Sequence, residues 1–175
     1  MTSINIPNSV TYIVRYAFSG CTRLLSIEIP KSVISIGHDA FFGCNGLKSI
    51  EIPTSVKVIG NTAFGCSNLK DFFALRTDPA EYNCSSNAFS QVSTSTCTLH
   101  VPIGSKEAYA NTAPWRYFKN IVEEDLTGTE PLTLTPSETG QAYYNLQGQR
   151  ITNPQRGQLV IVRYADGTNR KVEVD

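Results

Sequence analysis

One phrase is written three times in this chain at a fixed step. INIPNSV occupies 4–10, IEIPKSV 27–33 and IEIPTSV 50–56, so the step from Ile4 to Ile27 equals the step from Ile27 to Ile50. Each copy continues into Ala17-Phe18, Ala40-Phe41 and Ala63-Phe64, then Cys21, Cys44 and Cys66, then Leu24, Leu47 and Leu69, the third copy being slightly shorter. A fourth, degenerate copy starts at Leu69 with the run FFAL at 72–75, carries extra residues as far as Thr96, and keeps the Ala88-Phe89 pair. A fifth strand follows at 99–102. A period of about 23 residues constrains the fold more than any composition does, because it is the length of one supersecondary unit. Such a unit cannot bury its apolar edge alone, and stacking the copies makes a continuous core. The expectation is a mainly β solenoid of four to five coils with short helical or 3-10 turns. Alternating Ile residues turn inward, and a Pro ends each strand because it has no N–H to give the ladder.

Repeat position then accounts for the residues that look chemical. Cys21, Cys44 and Cys66 share one position, so they are expected to stack inside the solenoid as small, buried side chains rather than as metal ligands or a disulfide. Cys84 and Cys97, both in the irregular copy, are the only pair worth testing for a bond. His38 aligns with Arg15 and Asn61 on the turn before Ala-Phe, a position expected to be solvated. His100 aligns with Asn5, Glu28, Glu51 and Phe73, the outward residues of the strand phrases; beside them runs a second outward column of Ser3, Ser26, Ser49, Asp71 and Thr98. Together they predict one exposed sheet surface bearing Glu28, Glu51, Asp71, Phe73 and His100. An exposed aromatic ringed by polar groups is how protein-binding hot spots are built, so these five are the candidate partner-binding residues. A metal site of His100 with Asp71 is the lesser alternative, and a merely solvated face the plainest one.

Composition narrows the function classes. Fifteen basic residues balance fifteen acidic ones, ten of each sign before Leu126 and five of each after it. Neither half has the cationic excess that nucleic acid or anionic lipid requires. No apolar run approaches the roughly 20 residues of a membrane span, so membrane insertion is not expected. G-x-S-x-G, P-loop, H-E-x-x-H and G-x-G-x-x-G motifs are all missing, and two histidines at unrelated repeat positions are poor material for acid–base chemistry. No catalytic, cofactor-binding or metal residue is assigned, and the chain is read as no enzyme.

A solenoid exposes an apolar end unless something covers it. The segment 102–125 reads as a C-terminal cap: Ser105 as N-cap of a short helix, then Trp115, Tyr117 and Phe118 as a lid, then Ile121-Val122 and three acids. At the other end Met1 to Ile4 already aligns with 47–50, which implies that upstream coils, a cap or a signal peptide were removed, or that the first strand pairs with another copy. From Thr127 the period is lost. Solenoid and cap are assigned to 1–125, a linker to 126–136, and a small all-β module to 137–175, with strands at 131–135, 142–147, 158–164 and 170–174 and a hairpin signal at Asp166-Gly167.

The unit L-x-x-I-x-I-P-x-S-V-x-x-I-G-x-x-A-F-x-G-C-x-x resembles the BspA-type leucine-rich repeats of surface proteins from anaerobic gut and oral bacteria, and the V-P-x-G-S-K-E-A-Y segment resembles that family's C-terminal cap. The resemblance implies a leucine-rich-repeat solenoid, secreted or at the cell surface, that binds a protein partner: a host extracellular-matrix protein or another bacterial surface protein. The tail, with YNLQGQRI at 144–151, resembles the C-terminal β modules related to Por-type sorting domains, although RGQL stands at 156–159 where that module has Lys-Gly-Ile-Tyr. The alternative function is a spacer or display module whose tail serves export or anchoring.

Overall fold

The structure, a computed structural model, describes residues 3–126 and, beyond them, the stretches 142–144, 150–151, 159–163 and 169–173. The chain divides into two compact units, Met1–Glu123 and Glu124–Asp175.

In the first unit each coil supplies two short strands. They are β1 (Ser3–Asn5) and β2 (Tyr12–Ile13), β3 (Ser26–Glu28) and β4 (Ser35–Ile36), β5 (Ser49–Ile52) and β6 (Val58–Ile59), then β7 (Asp71–Ala74) and β8 (Asn83–Cys84), with β9 (Thr98–Pro102) opening a fifth turn. The pairings between coils are parallel, and their register carries the sequence period. Ser3 faces Ser26 and Tyr12 faces Ser35, each one full period on. Ser49 faces Asp71 after a shorter step, at the abbreviated copy, and Asp71 faces Thr98 after a longer one, across the extra residues. The β2-β4-β6-β8 ladder was not among the expected strands, because two-residue strands are too short to show alternation in sequence.

Along a third line of turns the Phe18 N–H donates to Ala40 C=O, the Phe41 N–H to Ala63 and the Phe64 N–H to Ala88. This stacks one phenylalanine per coil: Phe18 to Phe41 at 5.2 Å, Phe41 to Phe64 at 5.8 Å and Phe64 to Phe89 at 6.0 Å between ring centroids, all within 17° of parallel. Beside that spine lie the cysteines. Cys44 and Cys66 are buried and Cys21 half-buried; the Cys44 thiol donates to Phe18 C=O at 3.0 Å and the Cys66 thiol to Phe41 C=O at 3.2 Å. Buried Val92 holds the corresponding place after Phe89. Cys84 sits in β8 and Cys97 just before β9, on different ladders, and both are free thiols.

The segment after β9 buries its aromatic side chains, and the start of its short helix takes a partner that the sequence does not suggest. After β9 come α1 (Lys106–Asn111), a 3-10 turn at Trp115–Tyr117 and β10 (Asn120–Glu124), which joins β9 at the sheet edge. Ser105 stands at the N-cap position, but its hydroxyl turns back to Pro102 C=O; the Lys106 N–H is taken instead by the Glu123 carboxylate at 2.8 Å. A carboxylate at this helix end also meets the positive end of the helix dipole. Trp115 is fully enclosed by Tyr82, Phe89, Tyr109 and Phe72, with ring centroids 4.9 to 6.1 Å away.

The second unit holds an antiparallel sheet in the order β12 (Arg150–Ile151), β11 (Ala142–Tyr144), β13 (Leu159–Arg163), β14 (Asn169–Glu173). Val160 and Val162 are buried, the alternation expected of a strand with one covered face. The strand expected at 131–135 and the Asp166-Gly167 turn lie outside the described residues.

Candidate functional site

On the four-stranded ladder, part of each predicted column becomes a row of the sheet. Register sets Ser49, Asp71 and Thr98 side by side, and two residues along each strand it sets Glu51, Phe73 and His100 side by side. Period-2 alternation sends both rows outward while Ile50, Phe72 and Leu99 between them go into the core. The parallel pairing thus brings residues a whole coil apart in sequence into adjacency across one strand gap.

Within these rows His100 is the hub. Its Nε2 stands 3.1 Å from Asp71 Oδ1, within hydrogen-bond distance. Its ring lies on that of Phe73, centroids 4.3 Å apart and planes 15° from parallel. Phe73 is therefore not the exposed aromatic that the sequence suggests: its side chain is covered, with 9 % of the residue accessible, because the imidazole roofs it. The outer surface consists of an imidazole edge with the carboxylates of Asp71 and Glu51 nearby, and Lys48 and Lys70 exposed at the strand entrances.

Glu28 belongs to a different piece of sheet. It pairs with Asn5 in a two-stranded β1-β3 ladder, whereas the other four candidates sit on the four-stranded β5-β7-β9-β10 ladder. β3 lies beside β5, in contact with it but assigned to a separate ladder. Among the described residues no three His, Cys, Asp or Glu side chains converge to hold a metal ion, and His100 with Asp71 is a pair only.

His38 is exposed, as its repeat position predicts, and it also makes one contact to the next coil. Its Nδ1 accepts the Asn61 backbone N–H at 3.1 Å, so a side chain on one coil closes the backbone of the next. The first coil, singled out from the sequence for its open strand only, exposes Tyr12, Val14 and Tyr16. Their signal was present in the repeat alignment, where the second coil has Ser35, Gly37 and Asp39.

Comparison with known proteins identifies the repeat. The family described as BspA type Leucine rich repeat region matches residues 1–112 in six copies. A leucine-rich repeat protein of T. pallidum is 28 % identical, with a TM-score of 0.51 over 69 % of this chain and 55 % of its own. A leucine-rich cell surface protein of Faecalibacterium prausnitzii is 22 % identical, with a TM-score of 0.49 over 67 % of this chain and 35 % of its own. A leucine-rich repeat protein of Bacteroides ovatus is 28 % identical, with a TM-score of 0.38 over 56 % of this chain and 32 % of its own. The chain thus spans about half the length of the first of these proteins and about a third of the other two. No curated protein matches the sequence.

Proposed function

We propose, from the premise that this chain belongs to the BspA-type leucine-rich repeat family, that it is a non-enzymatic adhesion module of a secreted or surface-displayed protein. Its β5-β7-β9 face takes the partner, a host extracellular-matrix protein or another bacterial surface protein. The observation that carries the reading is the His100 cluster. An imidazole fixed on Phe73 and tied to Asp71, with Glu51 in the same row, is a pre-organised polar group, and pre-organisation lowers the entropic cost of binding. The acidic side chains favour a partner segment with basic or hydrogen-bond-donating groups. Glu28 extends the same outward column on the neighbouring ladder.

The test is binding of the chain to immobilised matrix proteins and mucins, with Glu51→Lys and His100→Ala alongside. Both variants are expected to lose binding at least about tenfold relative to the unaltered chain. Unchanged binding in both variants to every ligand that the chain captures overturns the assignment.

A second reading rests on the antiparallel sheet of the second unit. In it the solenoid is a spacer, and residues 137–175 are a sorting or anchoring module of Por type joined by a 126–136 linker. Deleting 127–175 then abolishes surface display, while the remaining solenoid keeps any partner affinity it had.

A further inference from the structure

One dipeptide of the repeat carries a chemistry that its copies lack. Asn45-Gly46 is the chain's one Asn-Gly sequence, and the same two positions hold Thr22-Arg23 in the first coil and Ser67-Asn68 in the third. An asparagine followed by glycine is poised to lose its amide, because the glycine nitrogen, with no side chain beside it, can attack the asparagine Cγ. The new N–Cγ bond closes a five-membered succinimide as the Cγ–Nδ2 bond breaks, and ammonia leaves with the proton from the glycine nitrogen. Water then opens the ring. Attack at Cγ gives aspartate; attack at the backbone carbonyl gives isoaspartate, whose main chain runs through the former side chain and is one methylene longer.

The folded chain holds this dipeptide away from that reaction. The Leu47 N–H donates to Cys44 C=O at 3.1 Å, and neither Asn45 nor Gly46 is left-handed, so the two form the middle of a type I turn. Ring closure needs the Asn45 Cβ, Cα and carbonyl carbon in one plane with the Gly46 nitrogen, about a quarter turn of the intervening peptide away from the type I conformation. The third coil opposes that rotation. Asn68 Nδ2 donates to Asn45 C=O at 3.1 Å, and Asn45 Oδ1 accepts both the Ser67 N–H at 3.1 Å and the Ser67 Oγ–H at 2.8 Å. On the other side the turn lies hard against the first coil: a β-carbon on Gly46 would stand 2.5 Å from the Leu24 oxygen and 2.7 Å from the Thr22 oxygen. Asn45 and Gly46 are only half-buried, so water and hydroxide reach them once the turn gives way.

We infer that Asn45-Gly46 is a masked modification site, at which a chain whose second and third coils have separated is deamidated and thereby marked. The third coil makes the clamp, so the reaction needs an opening of that seam rather than full unfolding. The two products then differ in fate. Aspartate keeps an acceptor oxygen for both Ser67 donors and lets the seam close. Isoaspartate adds a methylene to a backbone that has no room even for a β-carbon at Gly46, and it displaces Leu47, which is fully buried in the core. Opening of the seam thus becomes irreversible in the isoaspartate fraction.

Peptide mapping of the full chain tests this after mildly alkaline incubation in native buffer and in urea. The tryptic peptide 32–48 has Asn45 as its one asparagine, so its gain in mass on deamidation reports the site. Conversion is expected to be at least about tenfold faster in urea than in native buffer. Ser67→Ala removes one donor to Oδ1 and is expected to speed native conversion about fivefold while leaving the rate in urea unchanged. Asn68→Ala, which releases the Asn45 carbonyl, should act in the same direction. Asn45→Ser, carrying the third coil's own residue, should refold fully from urea. The unaltered chain should lose refolding yield as isoaspartate accumulates, with the isoaspartate at 45 confined to the fraction that size exclusion separates as misfolded. The inference is overturned by no conversion in urea, by equal conversion in native buffer and urea, by native rates unmoved in both Ser67→Ala and Asn68→Ala, or by isoaspartate at 45 as abundant in the refolded fraction as in the misfolded one.

Discussion

The imidazole of His100 lies flat on the ring of Phe73, and both residues come from strands whose register makes them direct neighbours. That contact explains how an outward-facing phenylalanine escapes water. It also makes His100 a structural residue as well as a candidate for recognition. His100→Ala removes the roof and the Asp71 hydrogen bond together, and is expected to cost about 1–2 kcal/mol. His100→Phe keeps the stacked ring and loses only the hydrogen bond, so it should cost less than His100→Ala. Urea unfolding of the two variants measures the difference, and equal losses would show that the stack contributes nothing.

The even spacing of the repeated phrase made the fold legible before any coordinates, because a parallel stack turns sequence period directly into register. The same logic placed Glu51, Phe73 and His100 in one row. It failed on Phe73 exposure, since burial there depends on which side chain leans on which, and the period is silent about that. It missed the β2-β4-β6-β8 ladder, whose strands are too short to alternate visibly. The Glu123 cap on α1 was equally hidden: it joins two residues in different elements that no local motif links.

The phenylalanine spine gives a position-dependent prediction. Phe41 and Phe64 are sandwiched between rings on both sides and fully buried, whereas Phe18 has a ring on one side only and is partly exposed. Phe41→Ala or Phe64→Ala is expected to cost about 3–5 kcal/mol, and Phe18→Ala about half as much. Chemical denaturation midpoints at matched slope check the ranking, which is refuted if Phe18→Ala is the most damaging of the three.

Three non-glycine residues at one repeat position, Tyr16, Asp39 and Thr62, hold φ between 51° and 61°. Asp tolerates this left-handed conformation; a β-branched Thr does so poorly. Thr62→Asn keeps the backbone N–H that donates to Asn87 C=O and relieves the strain, so it should stabilise the chain by about 1 kcal/mol. A lower melting temperature for Thr62→Asn would contradict this account.

Two serines at equivalent positions should respond in opposite directions to the same change. The Ser32 hydroxyl donates to Val10 C=O at 2.7 Å, while the buried Ser55 hydroxyl has no partner among the described residues. Ser32→Ala is expected to cost about 1 kcal/mol, and Ser55→Ala to be neutral or stabilising, because the folded state no longer carries an unpaired buried hydroxyl. Thermal melts of the pair decide it: a loss at Ser55 as large as that at Ser32 means that the hydroxyl is satisfied in solution.

Stability should fall steeply in alkali, and the reason lies in the buried thiols and phenols. Burial pushes Cys84 and Cys97 up to about 12 from the ordinary thiol value near 9, and Tyr82 up to about 12 from the ordinary phenol value near 10. The Cys66 thiol, beside that of Cys44 and also desolvated, and the Tyr109 hydroxyl are displaced in the same direction. Each group keeps its proton in the folded chain while the unfolded chain gives it up, so the unfolded state binds fewer protons as pH rises. The contribution is intact below about pH 9 and is lost between about pH 9 and 12, with each group steepening the decline by up to about 1.4 kcal/mol per pH unit inside its own window. Melting temperatures measured from pH 7 to 11 should therefore hold steady and then drop. Cys84→Ala should flatten the drop, and an equally steep fall in that variant would exclude Cys84 as a contributor.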